Sequence, residues 1–156
     1  MGEDGRADAW PHLSGRIEGG AHILPVRVYY EDTDYSGVVY HANYLRFLER
    51  GRTEFLRSVA GVDQSTMHAG GEGLILAVRR MTLEFLKPAR MDDVLVVETR
   101  VGEIRGASFE IPQRILREGE AILTADVRVA AIAGGRPARI PDALRAILTH
   151  GRDETR

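Results

Sequence analysis

The sequence predicts an α+β domain in which one long helix lies on an antiparallel sheet of about five strands. Three observations predict it. A single strong helical stripe runs from Tyr44 to Val59. An alternating apolar pattern precedes it, and strand-like patterns dominate the rest of the chain after it. The later strands are separated by short turn signals, which implies antiparallel neighbours, because parallel strands need long crossovers.

The first strand is expected near Leu24, where Val26, Val28 and Tyr30 alternate with Arg27, Tyr29 and Glu31. Residues 32–37 are a run of turn formers. In the helix, Tyr44, Leu48, Gly51, Phe55 and Val59 recur at steps of 4, 3, 4 and 4, and Leu45, Phe47 and Leu56 widen the stripe. Asn43 or the residue just before it is placed to cap the helix, and Gly61 to stop it. From His41 to Val59 the helix would be about 28 Å long. Gly51 in its interior costs about 1 kcal/mol relative to alanine. A close crossing of another backbone, as in a helix lying on a sheet, explains that cost.

After Gly70, Gly71 and Gly73, residues 74–86 alternate, with a phase change near Arg79-Arg80 that predicts a bulge. Pro88 ends that strand. Leu95, Val97, Thr99 and Val101 share one face of the next. Phe109, Ile111 and Ile115 mark another, where Pro112 predicts an edge or a bulge. Glu118-Gly119-Glu120 reads as a tight turn. Ala121, Leu123, Ala125, Val127, Val129 and Ala131 alternate with more polar neighbours, and Gly134-Gly135 breaks the run. Residues 141–148 are expected to form a short terminal helix.

A chain of 156 residues suits one domain. We read it as residues 21–150, preceded by a poorly ordered extension over residues 1–20. That extension has no apolar h-region and is not read as a secretory signal. Hydrophobic residues at 44% and charged residues at 28% are ordinary for a globular protein. The net charge of -2 gives no electrostatic case for nucleic acid. The absence of cysteine excludes disulfides, thiolate metal sites and cysteine nucleophiles. It fits a reducing compartment, and a cytoplasmic location is expected. No apolar run approaches the roughly 20 residues needed to span a bilayer.

The chemistry concentrates between Asp34 and Tyr44. Acidic residues, Gly37, His41 and Asn43 stand immediately before a helix start, where free N–H groups favour negative charge. A thioester carbonyl under attack becomes an oxyanion, which such a start stabilises. A nearby carboxylate can attack the carbonyl or activate water. A plainer reading stands beside this one: Asp32-Thr33-Asp34 can simply cap and tighten a loop, and His41 can be a structural hydrogen-bonder. The segment imitates the start of a calcium loop, but its twelfth position is Asn43 instead of glutamate. No metal is expected.

The run YYEDTDYSGVVYHANYLRFLERGRTEFLR, from Tyr29 to Arg57, resembles the signature of the 4-hydroxybenzoyl-CoA thioesterase group of hot-dog-fold proteins. It is most similar to the Tol-Pal-associated acyl-CoA thioesterase branch, as is FLKPARMDD from Phe85 to Asp93. The resemblance implies a hot-dog fold, with the sheet wrapped around one central helix. It implies an acyl-CoA thioesterase, with coenzyme A as part of the substrate and no separate cofactor. In the pattern D-x-x-G-x-V-x-x-x-x-Y the catalytic aspartate falls on Asp34, as nucleophile or general base. His41 falls at the helix start, where its backbone N–H would polarise the carbonyl. Gly37 would permit the turn, and Tyr40 and Asn43 would shape the loop and cap.

The resemblance further implies homodimers or homotetramers with active sites between protomers. Arg79, Arg80, Lys87 and Arg90 are candidates for the CoA phosphates, though each is equally readable as a solvent-facing strand charge. Glu49 lies one turn from Arg46, Arg52 and Thr53, so an ion-pair or surface role is expected for it, and Glu54 is set aside as a catalytic candidate with it. A non-catalytic module that binds acyl-CoA or acyl carrier protein, and a dehydratase or hydratase, are the alternative readings.

Overall fold

The computed structural model describes residues 9–60 and 73–154. Strands β1 (Arg16–Glu18) and β2 (Ala21–Arg27) come first, followed by a 3-10 turn at Tyr30–Asp32 and helix α1 (Asn43–Ala60). Strands β3 (Ile75–Phe85), β4 (Val94–Thr99), β5 (Ser108–Arg117), β6 (Glu120–Ala133) and β7 (Arg136–Pro137) lead to helix α2 (Asp142–Glu154). The sheet order is β1-β2-β4-β5-β6-β3, with β7 also on β6, and every pairing is antiparallel. The α+β expectation holds, with seven strands instead of five.

Several expectations need correction. Within the extension, residues 1–8 lie outside the described residues, but Arg16–Glu18 is a strand that pairs with β2. Strand β2 ends at Arg27, because the 3-10 turn follows, and Tyr30 is consequently 80% exposed. Pro112 lies on no edge: β5 is interior, between β4 and β6. The proline is tolerated because its missing N–H faces the β4 side just past the last pair, Thr99↔Gln113, and leaves the β6 ladder intact. Its carbonyl still accepts the Arg100 N–H at 3.1 Å. The terminal helix extends beyond 148, to Glu154. The expected stop at Gly61 and the glycines at 70 and 71 lie outside the described residues.

Other features appear as expected. The register of β3 on β6 shifts between Val78 and Arg80. Glu118 (φ 51°) and Gly119 (φ 79°) form the two-residue turn joining β5 to β6. Both angles are positive, as a turn that follows the twist of the strands requires.

Helix α1 buries Tyr44, Phe47, Leu48, Phe55 and Leu56 on the sheet, while Leu45 faces outward and widens nothing. Each such burial is worth about 1.5–3 kcal/mol. Gly51 is where the helix comes closest. A Cβ there would stand 2.6 Å from Val97 Cγ1, 3.1 Å from Thr99 Oγ1 and 3.2 Å from Gln113 Nε2. The crowding comes from side chains of β4 and β5, not from another backbone. The gap lets buried Gln113 donate from Nε2 to the Leu48 carbonyl (2.9 Å) and to Thr99 Oγ1 (3.0 Å). Its Oε1 accepts from buried Arg52 at 3.1 Å. Replacing Gly51 with alanine improves helix propensity by about 1 kcal/mol, but overpacking costs about 1–3 kcal/mol. With the helix also pushed off Gln113, we expect net destabilisation, read as a lower urea midpoint at unchanged slope.

Candidate active site

Between β2 and α1 the chain folds into a small hairpin. Thr33 bridges Val39, the Asp34 N–H donates to the Val38 carbonyl (2.9 Å), and the Gly37 N–H donates to the Asp34 carbonyl (3.0 Å). Gly37 turns the tip at φ +82°, a conformation that costs glycine nothing. The hairpin is tied to the segment after β3. Val38 bridges Arg90, and the Val39 N–H donates to the Ala89 carbonyl at 2.8 Å. Buried Tyr44, in the first turn of α1, closes the junction by accepting the Ala89 N–H on its hydroxyl at 3.0 Å.

The two aspartates of the loop do different work. Asp32 is buried, and its carboxylate takes the Tyr29 N–H (2.7 Å) and the Asn43 side-chain amide (2.6 Å). Asn43 is thus the first residue of α1, and its side chain holds Asp32. Asp34 is exposed, and its Oδ1 takes both the hydroxyl (2.6 Å) and the backbone N–H (2.9 Å) of Ser36. The Ser36 hydroxyl, with the backbone N–H as a lesser contributor, holds the Asp34 carboxyl below the usual carboxylate range.

The helix start presents donors. The Asn43 N–H is taken by the Tyr40 carbonyl (2.8 Å), but the N–H groups of His41 and Ala42 have no acceptor among the described residues. The His41 ring lies against Tyr40, with centroids 4.6 Å apart, and edge-on to Phe85 at 6.4 Å. Asp34 and Gly37 thus lie in the hairpin, and Tyr40, His41 and Asn43 follow where it runs into α1. An ionised carboxylate, a helix start with free N–H groups and an aromatic rim suit acyl transfer.

The basic candidates divide. Arg90 sits beside the hairpin, and its guanidinium has no partner among the described residues. Lys87 is engaged by Glu120. Arg80 lies on the sheet face away from α1, opposite Arg128, and Arg79 lies at the bulge. Neither is brought to the Asp34 loop within one protomer. Exposed Glu49 accepts the Thr53 hydroxyl at 2.6 Å, in line with its expected surface role, and half-buried Glu54 pairs with Arg57 at 3.4 Å.

Residues 28–148 match the sequence profile of the thioesterase-like superfamily. The chain belongs to that superfamily. Its relatives in the superfamily include the acyl-CoA thioesterase YbgC of Haemophilus influenzae, 41% identical over 129 residues that cover 81% of this chain and 93% of the relative. Another is the acyl-CoA thioester hydrolase YbgC of Escherichia coli, 46% identical over 69% of this chain and 79% of the relative. The crystal structure of a probable thioesterase from Bartonella henselae superposes with a TM-score of 0.74 at 44% identity, covering 78% of this chain and 99% of that one. Hot-dog neighbours of this kind agree with the sheet-and-helix architecture described above.

For this superfamily member, sequence reasoning missed Ser36, Ala89 and Phe85 as site neighbours. The Asp-x-Ser spacing is a legible signal for Ser36, since Asp and Ser both favour local turns. Ala89 acts through its backbone and leaves no signal. Replacing Asp32 with alanine would strand the Tyr29 N–H and the Asn43 amide. We expect a stability loss of about 1.5–3 kcal/mol, the range for hydrogen bonds to a charged group, measured by urea unfolding.

Proposed function

We propose that this chain hydrolyses the thioester of an acyl-CoA to free acid and CoA, with Asp34 as the catalytic carboxylate. The observation that carries the proposal is an exposed, ionised carboxylate on a hairpin leading into a helix start with unpaired N–H groups. The thioesterase class itself follows from the family and from the YbgC relatives. In the proposed reaction the substrate carbonyl lies against the His41 N–H, with the Ala42 N–H next along the chain. Negative charge developing on its oxygen meets those donors and the positive end of α1. Asp34 then serves as nucleophile on the carbonyl carbon or as general base for water.

Gly37, Tyr40 and Asn43 hold the hairpin and helix start in place. Arg90 is the favoured contact for the CoA phosphates. Arg79 and Arg80 lie on β3 and would serve a neighbouring protomer's site, and Lys87 would first have to leave Glu120. Acyl carrier protein is the second thioester carrier to test. A cytoplasmic location belongs to the same proposal and is supported by the absence of cysteine. No helix among the described residues is long and apolar enough to cross a membrane.

Replacing Asp34 with asparagine is expected to lower kcat/KM at least about 100-fold, the lower range for a positioned acid–base group. Thiol release from acyl-CoAs of several chain lengths, and from acyl carrier protein, measures it. Unchanged turnover removes Asp34 from the chemistry. Binding of acyl-CoA by the parent protein without turnover would favour a non-catalytic module.

The proposal includes a homodimer, or a homotetramer of two such dimers. Strand β3 supports it. The strand is 11 residues long, forms a sheet edge, and carries Ile75, Val78 and Phe85 at 45%, 45% and 52% exposure. Long apolar edges seek a partner strand. Replacing both Ile75 and Val78 with lysine is expected to shift the protein towards monomer in sedimentation velocity and to lower turnover with it. A parent protein that sediments as a monomer would overturn the assembly.

A further inference from the structure

The two oxygens of the Asp34 carboxylate have different surroundings. Oδ1 takes the Ser36 hydroxyl at 2.6 Å and the Ser36 N–H at 2.9 Å. The backbone N–H groups of Val38 and of Asp34 itself also favour the charged carboxylate, but both hydrogen bonds that close on it among the described residues fall on Oδ1 and none on Oδ2. We propose that Ser36 is a positioning residue, which anchors the Asp34 carboxylate through Oδ1 and leaves Oδ2 as the oxygen that meets substrate or water. The inference rests on the thioesterase reading of Asp34.

An exposed aspartate turns easily about its last torsion, which is broad and nearly two-fold, so its oxygens exchange roles. Two donors from one residue on one oxygen break that equivalence. The N–H contact alone would be an ordinary turn of the kind aspartate makes with the chain two residues on. The hydroxyl adds a second, charge-assisted bond at a length typical of O–H donating to a carboxylate. Ser36 is itself held, because the Gly37 N–H and the Asp34 N–H close the hairpin around it. A carboxylate fixed in this way presents Oδ2 in one orientation. Misplacing a reacting group by about 1 Å can cost about 100-fold in rate.

Few charges surround the loop. Asp32 is already held by Tyr29 and Asn43, and Glu31 is exposed beside it. Arg90 bridges the hairpin from the segment after β3, with the Asp93–Arg117 pair beside it, and Tyr44 at the start of α1 is near enough to feel the Asp34 charge. None of them donates a hydrogen bond to Asp34, which leaves Ser36 as its side-chain donor among the described residues.

The test compares Ser36→Ala and Ser36→Thr with the parent, using kcat and KM for an acyl-CoA across pH and a carbon-13 titration of the Asp34 carboxyl. The hydroxyl stabilises the ionised form, so losing it raises the carboxyl's pKa. Activity that needs ionised Asp34 then fails at higher pH as the solution is acidified. For Ser36→Ala we expect kcat to fall about tenfold with KM changed by less than about twofold. Its acid limb and its carboxyl titration should both move to higher pH. Ser36→Thr, which keeps the hydroxyl, should restore the parent values. A Ser36→Ala protein with unchanged kcat and unchanged titration overturns the positioning role while Asp34→Asn remains inactive. An active Asp34→Asn instead overturns the thioesterase role of Asp34, and this inference falls with it.

Discussion

Helix α1 can lie where it does only because position 51 has no side chain. With a Cβ meeting Val97 at 2.6 Å, any larger residue would lift the helix or displace the sheet beneath it. Close approach brings a second consequence. Gln113 reaches across to the Leu48 carbonyl, so a buried amide is satisfied by the backbone of the helix it supports. Arg52, pushed down in pKa by burial, leans on the same amide. The depth and axial position of the helix are therefore set by directional bonds as well as by apolar area. That matters for chemistry at its first turn, some 12 Å away at about 1.5 Å per residue. The start of α1 is only as well placed as the helix behind it.

The loop ahead of α1 assigns its aspartates opposite tasks by burial. Asp32 loses water and gains the Tyr29 N–H and the Asn43 amide, so its charge is spent on holding the turn to the helix. Asp34, at the tip, is exposed, and both of its hydrogen bonds from Ser36 fall on one oxygen. The distinction depends on the hairpin register, Thr33 opposite Val39, and on the ties of Val39 and Tyr44 to Ala89. Shifting that register by one residue would exchange buried and exposed sides. The plain capping reading thus describes Asp32, and the catalytic role proposed above is left to Asp34 two residues on.

Legibility in the sequence tracks the range of the interactions involved. The stripe through Tyr44, Leu48, Gly51 and Phe55 is a local periodicity, and the helix falls on it within two residues. The bulge after Val78 and the turn at Glu118-Gly119 are also local, and both are found. Pro112 misled because its cost depends on where the neighbouring strand stops, which is a tertiary fact. Strand β1 has too few residues for any period to show. Leu45 has the right spacing to widen the stripe but turns to the surface. For the candidate site, the family pattern singled out Asp34, which lies on the hairpin, and His41, which lies at the helix start. It could not separate Arg90 from Arg79, Arg80 and Lys87, because exposed arginine and lysine carry no information about which neighbour they meet.

The electrostatics of Asp34 bear on which reaction the site suits. Donors on Oδ1 stabilise the charged form, so the carboxyl is ionised near neutral pH and holds no proton to give. A hydratase or dehydratase needs a group that both takes and delivers a proton, which favours a pKa near the working pH. A depressed one suits a group that acts as the ionised carboxylate, better as nucleophile than as base. The same donors make that base weaker, so the carboxylate alone supplies little of the barrier reduction. The complementary half lies at the helix start. Removing a single oxyanion donor from an enzyme costs about 2.7–4 kcal/mol, whereas an exposed helix dipole contributes about 0.3–1 kcal/mol. In the proposed reaction, N–H groups at His41 and Ala42 directed at the carbonyl oxygen would outweigh the macrodipole behind them. On those magnitudes the site favours chemistry in which charge appears on a carbonyl oxygen, and thioester hydrolysis is such a reaction.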